Sequence, residues 1–246
     1  MSVCCVGPAV RVRDLSLVYD GGKLFDHLNF TLRGGRITAL LGASGVGKSS
    51  LMRVLAGFVF APGCTIADGE GASLVGRITY MGQGDLLLPW LTAQANVTMG
   101  ARLRGQKPDN ARALALLAQV GLSAQASAYP CTLSGGMRQR VALARTLYED
   151  KPVVLMDEPF SALDGLNRAR MQTLAAELLE SRTVLLITHD PLEACRLAHS
   201  ILVLSGFPAT LGAPLLLDGP VPRAVDDPMM LAAQGALLRA LTDGRQ

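Results

Sequence analysis

Gly42-Ala43-Ser44-Gly45-Val46-Gly47-Lys48-Ser49 fits the pattern G-x-x-x-x-G-K-[ST] at every position. The apolar run RITALL (Arg36 to Leu41) leads into it, and a helix from about Lys48 to Ala56 follows, ended by Gly57. A buried strand before and a helix after are the context this loop needs. Glycines let backbone N–H groups wrap phosphate oxygens, and the helix N-terminus adds positive potential. Lys48 is expected on β- and γ-phosphates, Ser49 on Mg²⁺, and Ser50 completes the phosphate-binding stretch.

A second apolar run, VVLMDE (Val153 to Glu158), ends in two acids. A strand there delivers Asp157 and Glu158 to its C-terminal end, where α/β sheets bind ligands. Asp157 suits Mg²⁺, most simply through water. Glu158 is placed to polarise an attacking water. The residues alone leave one alternative, that the two acids cap the next helix. His189 follows a third apolar run, TVLLIT, and from that strand end could contact a γ-phosphate. His27 and His199 have no such context and read as structural.

Strands must position these groups. Val10 to Val18 and FDHLNFTL (Phe25 to Leu32) read as partner strands, joined to RITALL by a Gly34-Gly35 turn. RITYM (Arg77 to Met81), PVVLMD, TVLLIT and SILVL (Ser200 to Leu204) are further strands. Helices are expected over Asp109 to Val120, from Ser134 onward, over Leu166 to Leu179 and over Pro191 to Ala198. Alternating strands and helices predict an α/β fold with a largely parallel sheet. The helical middle, about 90–148, interrupts the alternation and reads as an inserted subdomain of one domain spanning 1–246, with a tail over about 206–246.

The composition agrees. Half of the 246 residues are hydrophobic, enough for a sizeable core. A net charge of +3 with 17% charged residues gives no basic stripe for nucleic acid. Five scattered cysteines (Cys4, Cys5, Cys64, Cys131, Cys195) form no metal-ligand spacing and read as free thiols. No signal peptide is read at the start. Leu197 to Leu217 lacks Asp, Glu, Lys and Arg, but Gly206, Pro208, Gly212 and Pro214 break it, so a strand and loop are expected rather than a membrane span.

CTLSGGMRQRVALART (Cys131 to Thr146) places two glycines at the start of a strong helix. Each glycine costs about 1 kcal/mol relative to alanine inside a helix. Ser134 is a good N-cap, and Gly135-Gly136 permits close backbone approach. The result is a second anion site in a chain that already has one.

The ordered set resembles the ATP-binding cassette (ABC) ATPases. It comprises the phosphate loop, Gln83 after ITYM, LSGGM at Leu133 to Met137, VVLMDE, SALD at Ser161 to Asp164, and His189, over about residues 10–205. The resemblance implies an ABC-ATPase P-loop fold with an N-terminal antiparallel β part. It implies ATP and Mg²⁺ as ligands, with Gln83 reaching Mg²⁺ and the attacking water and Tyr19 stacking on adenine, although Tyr19 also reads as a surface residue at a strand end. It implies a head-to-tail dimer in which Ser134, Gly135, Gly136 and Met137 of one copy close over ATP held by the other, with Ser161, Ala162, Leu163 and Asp164 at the interface. Met137 stands where many members carry glutamine. A thioether cannot replace the amide's donors, so contact there falls to backbone N–H groups.

One cassette without membrane helices resembles an importer's ATPase subunit, working with a separate transmembrane permease and, through it, a periplasmic solute-binding protein. Such a subunit sits peripherally on the cytoplasmic face of the inner membrane. The run DLLLPW (Asp85 to Trp90) resembles the branch serving nitrate, sulfonate, taurine and hydroxymethylpyrimidine importers. The rival is a membrane-remodelling ABC motor of the cell-division or lipoprotein-release kind. Two placements fit Trp90, a permease-docking groove or the interior of the helical subdomain. Two also fit the apolar helix starting near Pro228, packing on the core or aiding dimerisation.

Overall fold

The computed structural model describes residues 6–19, 21–224 and 226–243; Cys4 and Cys5 lie outside them. Two sheets carry the fold. β1 (Val10–Tyr19) pairs antiparallel with β2 (Gly22–Leu32) and with β4 (Thr65–Asp68). The larger sheet holds β3 (Ile37–Gly42), β5 (Ile78–Met81), β6 (Val153–Asp157), β7 (Thr183–Ile187) and β8 (Ser200–Ser205). Its parallel core runs β8-β3-β7-β6-β5. Two short strands, β9 (Thr210–Leu211) and β10 (Leu215–Leu216), add to β8 antiparallel. They and β4 carry no sequence pattern strong enough to predict them.

Every residue of β6 and β7 is buried. Parallel strands covered on both faces require continuous apolar runs rather than alternation. Alternation survives in which core each residue enters. Val154, Met156, Val184 and Leu186 face one apolar cluster, which also holds most of the helices. Val153, Leu155, Leu185 and Ile187 face the other, shared with β1, β2 and α1 (Lys48–Leu55). The first cluster extends through the helical middle, which comprises α2 (Ala93–Val97), α3 (Met99–Leu103), α4 (Asn110–Gln119) and α5 (Gly135–Tyr148). Asp109 caps α4 by accepting from the Arg112 N–H, and Gly121 ends it with φ +72°.

α6 (Gly165–Leu178) is capped by Asp164, whose carboxylate accepts from the Asn167 N–H at 3.0 Å. Asp157 and Glu158 therefore do not cap it, and the alternative reading of those acids falls away. α7 (Pro191–Leu197) starts on the Asp190 cap. The charge-free stretch after it is strand and loop, and among the described residues no helix is long and apolar enough to cross a membrane.

The final helix, α8 (Pro228–Asp243), buries Met230, Ala233 and Leu237 in the first apolar cluster. Of the two placements open to it, core packing is the one seen. The segment leading into α8 is held by Arg223, which is buried. Its guanidinium donates to four carbonyls: Cys195 at 2.8 Å, Ala198 at 2.7 Å, Leu217 at 2.9 Å and Asp218 at 3.1 Å. It thereby satisfies carbonyls at the end of α7 that the helix itself cannot. Burial lowers the Arg223 pKa, consistent with a cation held by dipoles rather than by a carboxylate. Arg223→Ala should lower stability by about 2–4 kcal/mol by orphaning these carbonyls. Urea unfolding followed by far-UV circular dichroism measures this.

Candidate functional site

The loop between β3 and α1 is shaped by backbone conformation. Gly45 has φ +81° and Gly47 φ +106°, both in the left-handed region that glycine alone enters freely. A Cβ on Gly47 would also lie 3.0 Å from the Phe25 ring. Gly47 occupies the N-cap position of α1 with no side-chain cap bond. The first N–H groups of α1 are left open to an incoming anion. Lys48 Nζ donates to the carbonyls of Gly42 and Ala43, both at 2.8 Å. Burial lowers its pKa, opposed by Glu158 and Asp157.

A cavity of about 290 Å³ opens here. Ser44, Gly45, Gly47, Lys48, Ser49 and Ser50 line it together with Gln83, Asp157 and Glu158. The tertiary structure thus brings together groups from three distant parts of the chain. Asp157 is buried at the end of β6, and burial raises its pKa against a hydrogen bond from the Ser49 hydroxyl. The nearby Lys48 and Arg53 charges offset this burial only in part, and a divalent cation would relieve the rest. Among the described residues no cluster of three or more His, Cys, Asp or Glu could form an all-protein metal cage. This donor set of one carboxylate, one hydroxyl and one amide fits a cation bound chiefly through its ligand's phosphates, as Mg²⁺ commonly is. The residues therefore fit both nucleotide and Mg²⁺.

Glu158 is held in an unusual way. Its backbone has φ +50°, a conformation that strains a residue with a side chain. Its N–H donates to the Ile187 carbonyl at 3.0 Å, tying the end of β6 to β7. Its carboxylate oxygen lies 3.3 Å from His189 Nδ1. His189 is otherwise exposed and lines a smaller adjoining cavity with Glu158 and Ser161. Tyr19 lies outside the phosphate cavity, at the end of β1 and 71% exposed. Val46 and the carbonyls of Gly42 and Ala43 shape the loop from behind.

Ser134 does cap α5, its hydroxyl accepting from the Met137 N–H at 3.2 Å. Met137 packs against the apolar cluster, a use the thioether suits. None of Ser134, Gly135, Gly136, Met137 or the Ser161-Ala162-Leu163-Asp164 loop lines the phosphate cavity. Gly136 instead packs beside Leu163, since a Cβ there would sit 3.1 Å from its side chain.

Gln139, which sequence reasoning missed, joins these parts. It is buried on α5, donates from Nε2 to the Glu158 carbonyl at 3.1 Å and accepts at Oε1 from the Ala162 N–H at 2.9 Å. Ser161 Oγ donates to the same Glu158 carbonyl at 3.0 Å. The one available signal was a polar residue on a helix position facing the core. The loop after β5 is anchored to α5 as well. Arg138 Nε donates to the Asp85 carboxylate at 2.8 Å, and Arg145 donates to the carbonyls of Asp85 and Leu86 at 2.7 and 2.8 Å. Buried Asn96 fixes its far end through the Leu88 N–H and the Leu88, Leu91 and Thr92 carbonyls. Trp90 on this loop is 69% exposed, so it does not fill the helical subdomain.

Known proteins resemble this chain in sequence and in fold. The profile of the ABC transporter family matches residues 25–161. A Haemophilus influenzae protein described as an uncharacterized ABC transporter ATP-binding protein is 45% identical over 94% of this chain and 98% of its own length. The aliphatic sulfonates import ATP-binding protein of Delftia acidovorans is 39% identical over 95% of this chain and 94% of its own length. A solved dimeric ATP-binding cassette in a post-hydrolysis state, bound to ADP and Pi, superposes with a TM-score of 0.75 at 27% identity, covering 85% of this chain and 99% of the other.

Gln139→Leu removes both hydrogen bonds at similar volume, and Gln139→Glu keeps the acceptor for Ala162 while removing the donor to Glu158. Both variants should lower kcat for ATP hydrolysis about tenfold or more by loosening Glu158. The KM should stay within about twofold, because Gln139 does not line the phosphate cavity. Steady-state phosphate release checks this split.

Proposed function

Because this chain belongs to the ABC transporter family, we propose that it is the ATP-hydrolysing subunit of an importer for a small solute of the sulfonate, taurine, nitrate or hydroxymethylpyrimidine kind. The observation that carries the importer reading is the 39–41% identity, over nearly all of this chain, to aliphatic sulfonate import ATP-binding proteins from several bacteria. The same likeness weighs against a membrane-remodelling motor. The ATP hydrolase itself needs no proposal, since family and fold show it, with ATP and Mg²⁺ as its ligands.

In this reading the open N–H groups of Gly45 to Ser50 and the Lys48 ammonium hold the β- and γ-phosphates. Ser49, Asp157 and Gln83 hold Mg²⁺, which when bound neutralises phosphate charge and fixes phosphate geometry. Glu158 takes a proton from water, and His189, 3.3 Å from it, orients that carboxylate and reaches the γ-phosphate. Tyr19 stacks on adenine. Ser134, Gly135, Gly136 and Met137 cover ATP bound to a second copy, and Ser161 to Asp164 form the adjoining interface. Their position outside the chain's own phosphate cavity supports that reading. The subunit works peripherally on the cytoplasmic face of the cell membrane with a permease, which a solute-binding protein supplies.

A permease reconstituted in proteoliposomes with this subunit inside tests the importer. Sulfonate, taurine, nitrate and hydroxymethylpyrimidine, each with its binding protein, should include one solute that stimulates ATP turnover and accumulates. Substrate-independent turnover with no accumulation would overturn the importer reading.

Glu158→Gln should bind ATP with Mg²⁺ but turn over slowly, because an amide cannot accept the proton. Gel filtration should show ATP shifting this variant from monomer to dimer. Adding Ser134→Arg should return it to monomer by filling the facing site.

The exposed Trp90 indole, on a loop tied to α5, suits a permease contact, since aromatic residues anchor many interfaces. Its emission in the free subunit should be red-shifted and readily quenched by acrylamide. Quenching should fall when the permease binds. Trp90→Ala should weaken assembly while changing nucleotide affinity less than about twofold.

A further inference from the structure

The geometry points to Phe207 as a second aromatic wall for the nucleotide base, facing Tyr19 across Gly22. Phe207 lies in the turn between β8 and β9, whose pairing places Leu204 opposite Leu211 and Ser205 opposite Thr210. The Ala209 N–H ties this turn to β2, donating to the Leu24 carbonyl at 2.8 Å. Gly22 and Tyr19 are direct partners across the β1–β2 pair, so their Cβ positions share a face. A Cβ built on Gly22 would lie 2.8 Å from Phe207 Cζ. The Phe207 ring therefore occupies the space over Gly22, on the face from which the Tyr19 side chain leaves. A side chain at position 22 would require the Phe207 ring to move aside.

Both rings are largely uncovered, 71% for Tyr19 and 73% for Phe207. Exposed aromatics set side by side form a stacking platform, and every base has a π-face to offer. The platform adjoins the phosphate loop on both of its strands. A Cβ on Gly47 would meet Leu24 and Phe25, two and three residues after Gly22. A Cβ on Gly42 would meet the Leu204 carbonyl, three residues before Phe207. The loop that cradles phosphates is thus flanked by β2 and β8; the Tyr19 ring sits at the end of β1 beside the start of β2, and the Phe207 ring sits in the turn that follows β8. Asp157, Glu158 and Gln83 lie toward β6 and β5, the other side of β3, where the terminal phosphate belongs. A base attached to phosphates held by this loop projects toward the β8 side. Phe207 would then add base affinity and favour purines, whose larger ring system covers more of both side chains. This assignment rests on the ATP-site reading above and adds to it a residue and a base preference.

The test measures binding of three ligands, with Mg²⁺, to the full chain by calorimetry: a non-hydrolysable ATP analogue, the matching uridine analogue and inorganic triphosphate. Phe207→Ala should weaken the adenine ligand about tenfold and the uridine ligand less. Inorganic triphosphate, which has no base, should bind as it does to the unaltered chain. Phe207→Tyr should restore adenine affinity. Equal losses for ATP analogue and triphosphate, or no loss for either, would overturn the proposal, the first by showing that Phe207 only supports the β1–β2 turn. Thermal melts of Phe207→Ala and Phe207→Tyr report folding separately. Lys48→Ala should lose all three ligands; if the unaltered chain binds none of them, the ATP-site reading fails together with this one.

Discussion

A polyphosphate carries more negative charge than any few side chains can hold without also enclosing water. The structure meets this with backbone. The open N-terminus of α1, reached through left-handed glycines, presents N–H groups at the C-terminal edge of a fully covered parallel sheet. Much of the rest follows from this one constraint. β3 must be buried on both faces to hold the loop rigidly, and α1 must lack a side-chain cap. Lys48 rests on two carbonyls of the same loop, and burial lowers its pKa.

The acids come second in this hierarchy. Asp157 is buried beside Ser49 with its charged form disfavoured, an arrangement that a cation-bearing ligand relieves. Glu158 is fixed less by its own strand than by its surroundings. Ile187 holds its N–H, while Gln139 and Ser161 hold its carbonyl, and together they impose a backbone angle that the residue would not adopt alone. Because Gln139 sits on the helix that begins with the Ser134-Gly135-Gly136 turn, that helix is joined to the Glu158 carbonyl by one hydrogen bond and to the Ala162 N–H of the following loop by another. Arg138 and Arg145 connect the same helix to the loop carrying Trp90. One helix thereby starts at the Ser134-Gly135-Gly136 turn, holds the backbone of Glu158 and anchors the loop that carries Trp90.

The phosphate loop, the VVLMDE strand and the long helices were legible in the sequence because their signals are local. A glycine pattern, an apolar run and a capping residue each act within a few positions. Most predicted boundaries therefore agree with the structure to a residue or two. Several further elements have no local signal. β4 and the short strands β9 and β10 exist because a neighbouring edge accepts them, not because their residues favour strand. Arg223 reads as a surface charge until four carbonyls are seen to converge on it.

Sequence alone determined which chemistry was possible. The lysine, the serine, the paired acids and the glycines that bare the backbone are choices of residue type, and type survives any fold. Tertiary structure decided which groups act together. It set Gln83, Ser49 and Asp157 around one cavity, turned Gln139 inward to hold Glu158, left Trp90 in solvent, and put Phe207 over Gly22 beside Tyr19. The physical reason is range: backbone conformation and apolar periodicity are encoded within a turn or a strand. A hydrogen bond between residues far apart in the chain exists only after the sheet order has brought its partners together.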